Sequence, residues 1–354
     1  MSSPLRLLAL LLTACLLPSS TWCAESTTKP AEPALKADAK KTEGKGESSS
    51  EAKGADEALK MFFPSLPHVK AEFYTNEDVK KQDTSFGMNF YSAAMIFPVW
   101  RPNKDKMDGL YLGADASLLD IRGNAYLPRH HRELPDELYD LNFVGAYFHT
   151  LDNGWQTGGF VRAGSPSNKP FHGTDTLAAT AAWFLRMPAG GKNAWLVYLG
   201  ADTTSEFPYP VPGFGYWLET DKVKALLGLP VQMLSAEPVK DLNIDFRYIP
   251  LRDIFGKVAY GPRDVLQGYV SYDWSNKRYL RADRKDADDK LFFYDQKAKA
   301  GIEVRKLEHF VFDVGGGYTF GRTVFEEDKY SDRRHNRIKV EDGWFGGVTA
   351  RVKF

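Results

Sequence analysis

Residues able to perform covalent chemistry are scattered along the chain without a catalytic spacing. Histidine stands at 7 positions, which are His68, His130, His131, His149, His172, His309 and His335. Serines are common, so chance serine–histidine pairs are inevitable, yet no G-x-S-x-G or H-E-x-x-H motif sets a nucleophile or a zinc ligand in place. The adjacent pair His130–His131 would point to opposite sides of an extended chain and has no evident third ligand. We therefore expect no enzymatic activity, no cofactor and no metal site.

Two charged runs near the end of the chain are candidates for binding ions. The acidic run contains Asp283, Asp286, Asp288 and Asp289. Carboxylates of this kind can ligate Ca²⁺, but the run lacks the spacing of an EF-hand and alternates with Arg and Lys, which favours a salt-bridged loop. The basic run contains Arg333, Arg334 and Arg337. Arginine forks suit the phosphates of lipopolysaccharide, although a structural loop network is again favoured.

The start of the chain indicates export. Arg6 precedes an apolar run of about a dozen residues and then small residues, which is the pattern of a secretory signal peptide, and we place it at 1–24. Cleavage after Cys23 or Ala24 removes both cysteines, so no disulfide or thiolate chemistry would remain. Cleavage of a lipoprotein type, with lipid on Cys15, is the less favoured alternative.

Residues 25–60 differ in composition from the rest. They contain no aromatic residue and mix Lys with Glu, Asp and Ala, so they cannot bury enough apolar surface to offset the entropy of ordering. We predict a disordered periplasmic linker at 25–60, followed by one folded domain at 61–354.

Within 61–354, short segments alternate between apolar and polar side chains and are separated by turn residues. In the last segment Trp344, Val348 and Phe354 share one face, while Arg351 and Lys353 share the other. One apolar face with an aromatic residue at each end is typical of a strand between lipid and a polar interior. The terminal Phe354 resembles the C-terminal signal of bacterial outer-membrane barrels, which predicts contact of this strand with the barrel-assembly machinery.

Closure of these strands into a barrel is expected on physical grounds. No stretch of 18 apolar residues exists, so no membrane helix is predicted. Basic and acidic residues number 46 each, which gives no reason to expect a nucleic-acid partner. In hydrocarbon, only a closed barrel pairs every backbone group of a set of strands.

The connections support a membrane barrel with two different ends. Short segments such as 261–264 alternate with long ones such as 322–343, as periplasmic turns alternate with outer loops. We predict an all-β protein, a closed antiparallel transmembrane β-barrel of about 14 strands (range about 12–16), in the bacterial outer membrane. A count of 14 or 16 depends on whether the chain kinks or reverses near Pro230 and Leu251.

Charged residues on the alternate positions of these strands would face the lumen. They are Asp115, Asp245, Arg247, Asp273, Glu303, Arg305, Asp313, Arg351 and Lys353. Mixed signs either line a water-filled pore or pair into a network that plugs it. At this strand number the interior approaches the width of an aqueous channel, which favours the pore. The two charged runs, both expected at the outer end, could instead pair with one another and cap the mouth.

Several turn and loop motifs carry a family resemblance. They are Tyr209–Gly213, Gly228–Pro230, Asp273–Trp274, Arg281–Asp295 and Tyr330–Gly343. With these motifs, residues 80–354 resemble an uncharacterised family of bacterial outer-membrane β-barrel proteins. The resemblance implies an outer-membrane location and a single barrel, and it brings no activity.

The expected function is passive diffusion of small hydrophilic solutes, with outer-membrane lipid and lipopolysaccharide as the surroundings. The first alternative is a structural or surface-interaction barrel with a plugged lumen and no transport. A barrel hydrolase acting on lipid is the least favoured. The sequence leaves open the solute, whether the lumen is open, and the oligomeric state.

Overall fold

The computed structural model describes residues 67–102, 108–129, 131–207, 209–307, 309–334 and 336–352. Regular structure in these ranges is β-strand, apart from two 3₁₀ helices, Thr174–Thr176 and Tyr330–Asp332. Neither of these described helices is long and apolar enough to cross a membrane. The predicted signal peptide and linker lie outside the described residues, as do Lys353 and Phe354.

Sixteen strands follow one another around a single sheet. The first eight are β1 (His68–Tyr74), β2 (Ser85–Trp100), β3 (Gly109–Arg122), β4 (Glu137–Thr150), β5 (Gln156–Ser167), β6 (Ala178–Pro188), β7 (Ala194–Asp202) and β8 (Val211–Glu219). The second eight are β9 (Val223–Leu229), β10 (Gln232–Ala236), β11 (Leu242–Ile249), β12 (Asp253–Tyr260), β13 (Leu266–Tyr279), β14 (Lys290–Val304), β15 (Phe310–Glu327) and β16 (Gly343–Val352).

The sheet closes on itself. Each strand pairs antiparallel with its neighbours in sequence, and β1 pairs with both β2 and β16, so that Ala71 lies opposite Tyr91 on one side and Val348 on the other. The sheet contains 18 strands, of which Glu77–Asp78 and Arg337–Lys339 are short pieces beside β2 and β15, which leaves 16 in the ring. The prediction of a closed antiparallel barrel is confirmed.

The strand number is 16, the upper end of the expected range rather than the preferred 14. The chain reverses fully between β9 and β10 at Pro230–Val231, and again between β11 and β12 at residues 250–252. Leu251 takes a positive φ of 59°, which lets the second reversal fit into three residues. Both places are therefore turns and not kinks.

The two ends of the barrel differ in their connections. The end at which β1 begins and β16 finishes, called here the terminus end, has short turns such as 151–155, 189–193 and 220–222. The opposite end, called here the loop end, has longer connections at 75–84, 123–136, 168–177, 280–289 and 328–342.

The wall of the barrel is uneven in height. Strands β13, β14 and β15 have 14, 15 and 18 residues, whereas β9, β10, β11 and β12 have 7, 5, 8 and 8. At about 3.3 Å per residue, the longest strand extends about 59 Å and the shortest about 17 Å. We call strands β9–β12 the short wall.

The outer face of the ring is apolar. Alternate side chains point outward, among them Val270, Ile302 and Val348, which are 59%, 51% and 49% exposed. Among the outward positions of the sixteen described strands, Asp, Glu, Lys and Arg occur only within three residues of the loop end. Such a face would be stable only against another apolar medium.

Aromatic side chains are exposed at both rims of this apolar face. At the terminus end they include Trp100, Tyr147, Trp155 and Tyr260. At the loop end they include Phe73, Tyr209 and Trp344. Two aromatic girdles around an apolar band are the arrangement that suits the two interfaces of a bilayer.

Candidate functional site in the barrel lumen

The predicted lumen residues lie on the inner face, where they form separate ion-pair networks. Asp115 of β3 is bonded by Arg162 of β5, with Nε and Nη2 at 2.8 and 2.6 Å, and Arg162 also bonds Asp140 at 2.8 Å. Asn142 donates to both carboxylates. The network belongs to the wall formed by β3, β4 and β5 and keeps these charged groups paired with one another.

The short wall holds a second inward set. Asp245 accepts a hydrogen bond from Ser235 at 2.8 Å. Arg247 Nε lies 2.5 Å from Asp253, and its guanidinium packs over the ring of Phe255. Both predicted residues therefore have close partners on adjacent strands.

A third network joins strands β12 to β16 in the terminus half of the lumen. Glu303, 1% exposed, accepts from Lys257 and Arg305 at 2.8 Å each and also from Arg351. Asp313 accepts from Lys299 at 2.6 Å. Asp273 also faces inward, and its buried Oδ1 has no hydrogen-bond partner. Lys353, the ninth predicted residue, lies outside the described part of the chain.

Sequence reasoning missed the partners of these residues. Arg162, Lys257 and Lys299 carry the opposite charges, and all three stand at inward positions by strand alternation. Strand alternation was the signal that could have found these partners. Lys257 stands two residues after Phe255, which faces inward, so Lys257 must face inward as well.

Apolar side chains fill the lumen at the loop end, which an aqueous pore would not predict. This cluster, called here the plug, consists of Tyr74, Val79, Phe86, Met88, Phe90, Leu119, Ile121, Ala125, Leu127, Leu134, Leu138, Tyr279, Leu291, Phe293, Val324, Ile338, Val340 and Phe345. Leu127, Leu138 and Leu291 are fully buried. The members come from the inner faces of several strands and from three loop-end connections, so they join the wall to its loops.

The connection 123–136 supplies the centre of the plug. Its segments Tyr126–Leu127 and Arg132–Glu133 pair as a small hairpin. The Gln82 side chain bonds both the carbonyl and the amide of Tyr126, at 2.7 and 3.1 Å. The amide of Arg129 donates to Asn336 Oδ1 at 3.1 Å. Three loop-end connections are thereby fastened to one another above the lumen.

The connection 280–289 crosses the mouth of the barrel. The Leu280 amide donates to the carbonyl of Pro166 in β5 at 2.6 Å, and Arg284 Nη2 donates to the carbonyl of Asp175 at 2.6 Å. Strands β5 and β13 stand on opposite sides of the ring, because seven strands lie between them in either direction. Because Leu280 directly follows the last residue of β13, the loop-end tips of these two strands meet across the ring, and the connection 280–289 lies over the opening.

Ion pairs hold this crossing connection in place. Arg281, 4% exposed, binds Asp283 at 3.0 Å and approaches Glu326 at 3.7 Å, and Arg132 of the hairpin contacts the same two carboxylates. Burial acts to raise the pKa of Asp283, but the hydrogen bonds and charge of Arg281 hold it below its ordinary value of 3.8. The carboxylate therefore stays ionised and paired at neutral pH.

The rest of the two charged runs is arranged locally. Asp286 accepts from the Asp288 amide at 3.1 Å, and Asp283 of the acidic run pairs with Arg281 and Arg132. Arg333 lies 4.8 Å from the centroid of the Tyr330 ring. Arg337 stands in the short strand beside β15, and Arg334 is exposed.

Two observations bear on enzymatic and metal chemistry. His68 Nε2 lies 3.3 Å from Ser92 Oγ, but such a contact becomes catalytic only with an orienting group and oxyanion donors. In the part of the chain that the structure describes, no group of three or more His, Cys, Asp or Glu is placed to hold a metal ion. His130 lies outside that part.

No protein-family model and no curated protein matches this chain. The solved structures that are similar to it include the following three. The β domain of the Bordetella autotransporter BrkA is 12% identical, over 81% of this chain and 99% of that one, with a TM-score of 0.28. The transport unit of the autotransporter AIDA-I from Escherichia coli is 10% identical, over 87% and 99%, with a TM-score of 0.32. An outer-membrane channel from Pseudomonas putida F1 is 9% identical, over 82% and 97%, with a TM-score of 0.30. At these scores the likeness adds nothing to what the strand pairing of this chain shows.

Proposed function

We propose that this protein is a β-barrel of the bacterial outer membrane whose lumen is closed at the loop end, and that it serves a structural or surface-interaction role. The observation that carries the proposal is the plug, an apolar cluster lying where an open channel would need water. The connection 280–289, bonded to β5 across the mouth, supports the same conclusion.

The membrane location is supported by the outer face. An apolar face with charges only near the loop end and aromatic girdles at both rims fits hydrocarbon between two interfaces. Closure of the sheet leaves no unpaired strand edge, which is a condition for any strand in lipid. The even number of strands is typical of single-chain bacterial barrels.

The orientation and the partners are further parts of the proposal. The predicted signal peptide and linker precede β1, so the terminus end faces the periplasm and the loop end faces outward. Arg333 and Arg334 then lie where lipopolysaccharide phosphates are found. The barrel-assembly machinery would engage β16, and the uncharacterised family resemblance fits the same setting. Fractionation of cells carrying the full chain tests the location.

Conductance in planar bilayers tests whether the lumen is closed. We expect the refolded chain from residue 25 onward to give no stepwise current. Replacing residues 123–136 by a short Gly-Ser linker removes the centre of the plug, and we expect that variant to conduct. The matched control replaces the terminus-end turn 189–193 in the same way and should stay silent.

Stepwise current from the unaltered chain would refute the proposal that the lumen is closed. It would favour instead a passive channel for small hydrophilic solutes. Heat-dependent mobility in detergent gels verifies that each variant is folded. The double substitution Leu127→Ser with Leu134→Ser is a milder way to loosen the plug, and it should conduct as well.

A further inference from the structure

A small cavity lies in the lumen beside the plug, between β1, β2 and strands β13–β15. The space in it that is open to the centre of a water molecule is about 30 Å³, which is room for about two or three waters or a small organic anion. One side is apolar and aromatic, with Phe86, Met88, Phe90 and Phe293. The other side is charged.

The charged side is predominantly cationic. Lys277, Lys297 and Arg322 line the cavity, against the single carboxylate of Asp295. Lys297 is held by Glu72 at 3.3 Å, and Asp295 accepts a hydrogen bond from Thr319. The remaining cations of this side, Lys277 and Arg322, have no carboxylate within ion-pair distance in the described structure.

Arg322 is aimed into the lumen by a bulge in β15. The pairing with β14 shifts between Tyr294 and Gln296, so that Gly321 and Arg322 both stand opposite Asp295. Gly321 has a positive φ of 66°, a conformation that glycine adopts without strain. After the bulge the alternation is reversed, and Arg322 faces inward.

The guanidinium of Arg322 is only partly satisfied. The residue is 3% exposed, and Nη2 donates to the carbonyl of Glu341 at 2.5 Å. Its buried Nε and Nη1 have no hydrogen-bond partner. Lys277 Nζ lies 3.1 Å from the centroid of the Phe90 ring. Buried donors without acceptors are costly, and charged ones most of all.

We propose that this cavity binds a small carboxylate anion, with its oxygens on Arg322 and Lys277 and a short apolar part against Phe90 and Phe293. An oxyanion supplies the acceptors that the guanidinium lacks and offsets the excess of cations. The aromatic side favours an organic carboxylate over inorganic phosphate, which shares the oxyanion chemistry but has no apolar part.

Thermal unfolding in an uncharged detergent measures the binding. We expect butyrate to raise the unfolding midpoint of the chain from residue 25 onward in a saturable way, and the neutral isostere butyramide to leave it unchanged. Arg322→Gln and Lys277→Met should each weaken the response to butyrate at least tenfold. Arg247→Gln, which removes a lumen cation already paired with Asp253, is the matched control and should respond as the parent does.

Three results would overturn the proposal. They are no response of the parent chain to butyrate, an undiminished response of both cavity variants, and a tighter response to inorganic phosphate than to butyrate. The test needs neither a membrane nor a closed mouth, so its failure would leave the proposed function standing. Conversely, a conducting barrel could still bind the anion.

Discussion

Glu303 shows how the lumen accommodates charge. A single carboxylate, almost without exposure, accepts hydrogen bonds from Lys257 of β12, from Arg305 just after β14 and from Arg351 of β16. Lys257 and Arg351 stand on the inner face because their strands alternate, so these two contacts require no special backbone. Such a group contributes little when complete and a great deal when one member is removed, because the others then remain buried without a counter-charge.

Glu303→Gln should therefore destabilise the barrel. The neutral amide removes the carboxylate that Lys257, Arg305 and Arg351 share, and breaking a buried pair of this kind costs about 3 kcal/mol or more. The free energy of unfolding, from urea titration of tryptophan fluorescence in lipid vesicles, measures the effect. Asp264→Asn, in an exposed turn, serves as control. A loss equal to that of the control would show that the network is dispensable.

Asp283→Asn should loosen the crossing connection without unfolding the barrel. The neutral side chain loses its ion pairs with Arg281 and Arg132, so we expect trypsin to cut within 280–289 several-fold faster. The exposed neighbour Asp288→Asn controls for the loss of one negative charge. Equal cutting of the two variants would contradict a role for this pair.

The carboxylate of Asp283 also makes the stability of the connection 280–289 depend on pH. Its pKa is held below 3.8, so the stability it contributes is present above that value and is lost as the pH falls through the lowered pKa. Hydrogen exchange of the connection 280–289 should stay slow down to about pH 4 and quicken below it. In Asp283→Asn the step should be absent.

At the scale of the strand, β16 separates two environments on its two faces. Trp344 and Val348 point outward and are 65% and 49% exposed, while Phe345 points inward and is 5% exposed. The period of two in the sequence was sufficient to predict this strand, since each residue's face follows from its neighbour's.

The position of the apolar band along the outer face of β16 can be tested by placing arginine at two positions of this strand. Val348→Arg places a charge in the middle of the apolar band and should cost about 2–4 kcal/mol, whereas Val352→Arg, on the same face at the terminus end, should cost at most about 1 kcal/mol. Urea unfolding in vesicles measures both. Equal costs would argue against a bilayer around the ring.

Other elements could not be read from alternation. A kink and a reversal near Pro230 leave the same pattern of side chains, so the strand count stayed ambiguous until the pairing was known. The plug depends on contacts between distant connections, such as Leu127 and Ile338, and no local pattern reports those. A partial signal was present in Phe86, Met88 and Phe90, three apolar residues on the inward face of one strand.

At the scale of the molecule, the first and last strands must meet. Ala71 and Val348 lie directly opposite one another across that seam. Opposed Cα atoms in antiparallel strands are about 4.5–5.5 Å apart, within the range that a disulfide bridges. A chain from residue 25 onward contains no natural cysteine. A disulfide between two engineered cysteines would therefore have no competing thiol.

The double variant Ala71→Cys with Val348→Cys should therefore oxidise readily and lock the ring. In denaturing gels the oxidised form would migrate as a circle and the reduced form as a linear chain. Ala71→Cys with Val314→Cys is the control, because Val314 lies one strand further from β1. Cross-linking of the control alone, or of neither, would refute the closure.

In the bilayer proposed for this barrel, the short wall would affect the surrounding lipid. Strand β10 extends about 17 Å, well below the hydrocarbon thickness of about 30 Å. Acyl chains beside β9–β12 would have to compress to match this part of the wall, while those beside β13–β15 would not. The bilayer would therefore be thinner on one side of the molecule. Two copies that share one thinned region deform less lipid than two separate copies. Fluorescence energy transfer between labelled copies should therefore increase with acyl-chain length, because a thicker bilayer favours association of two copies through their short walls.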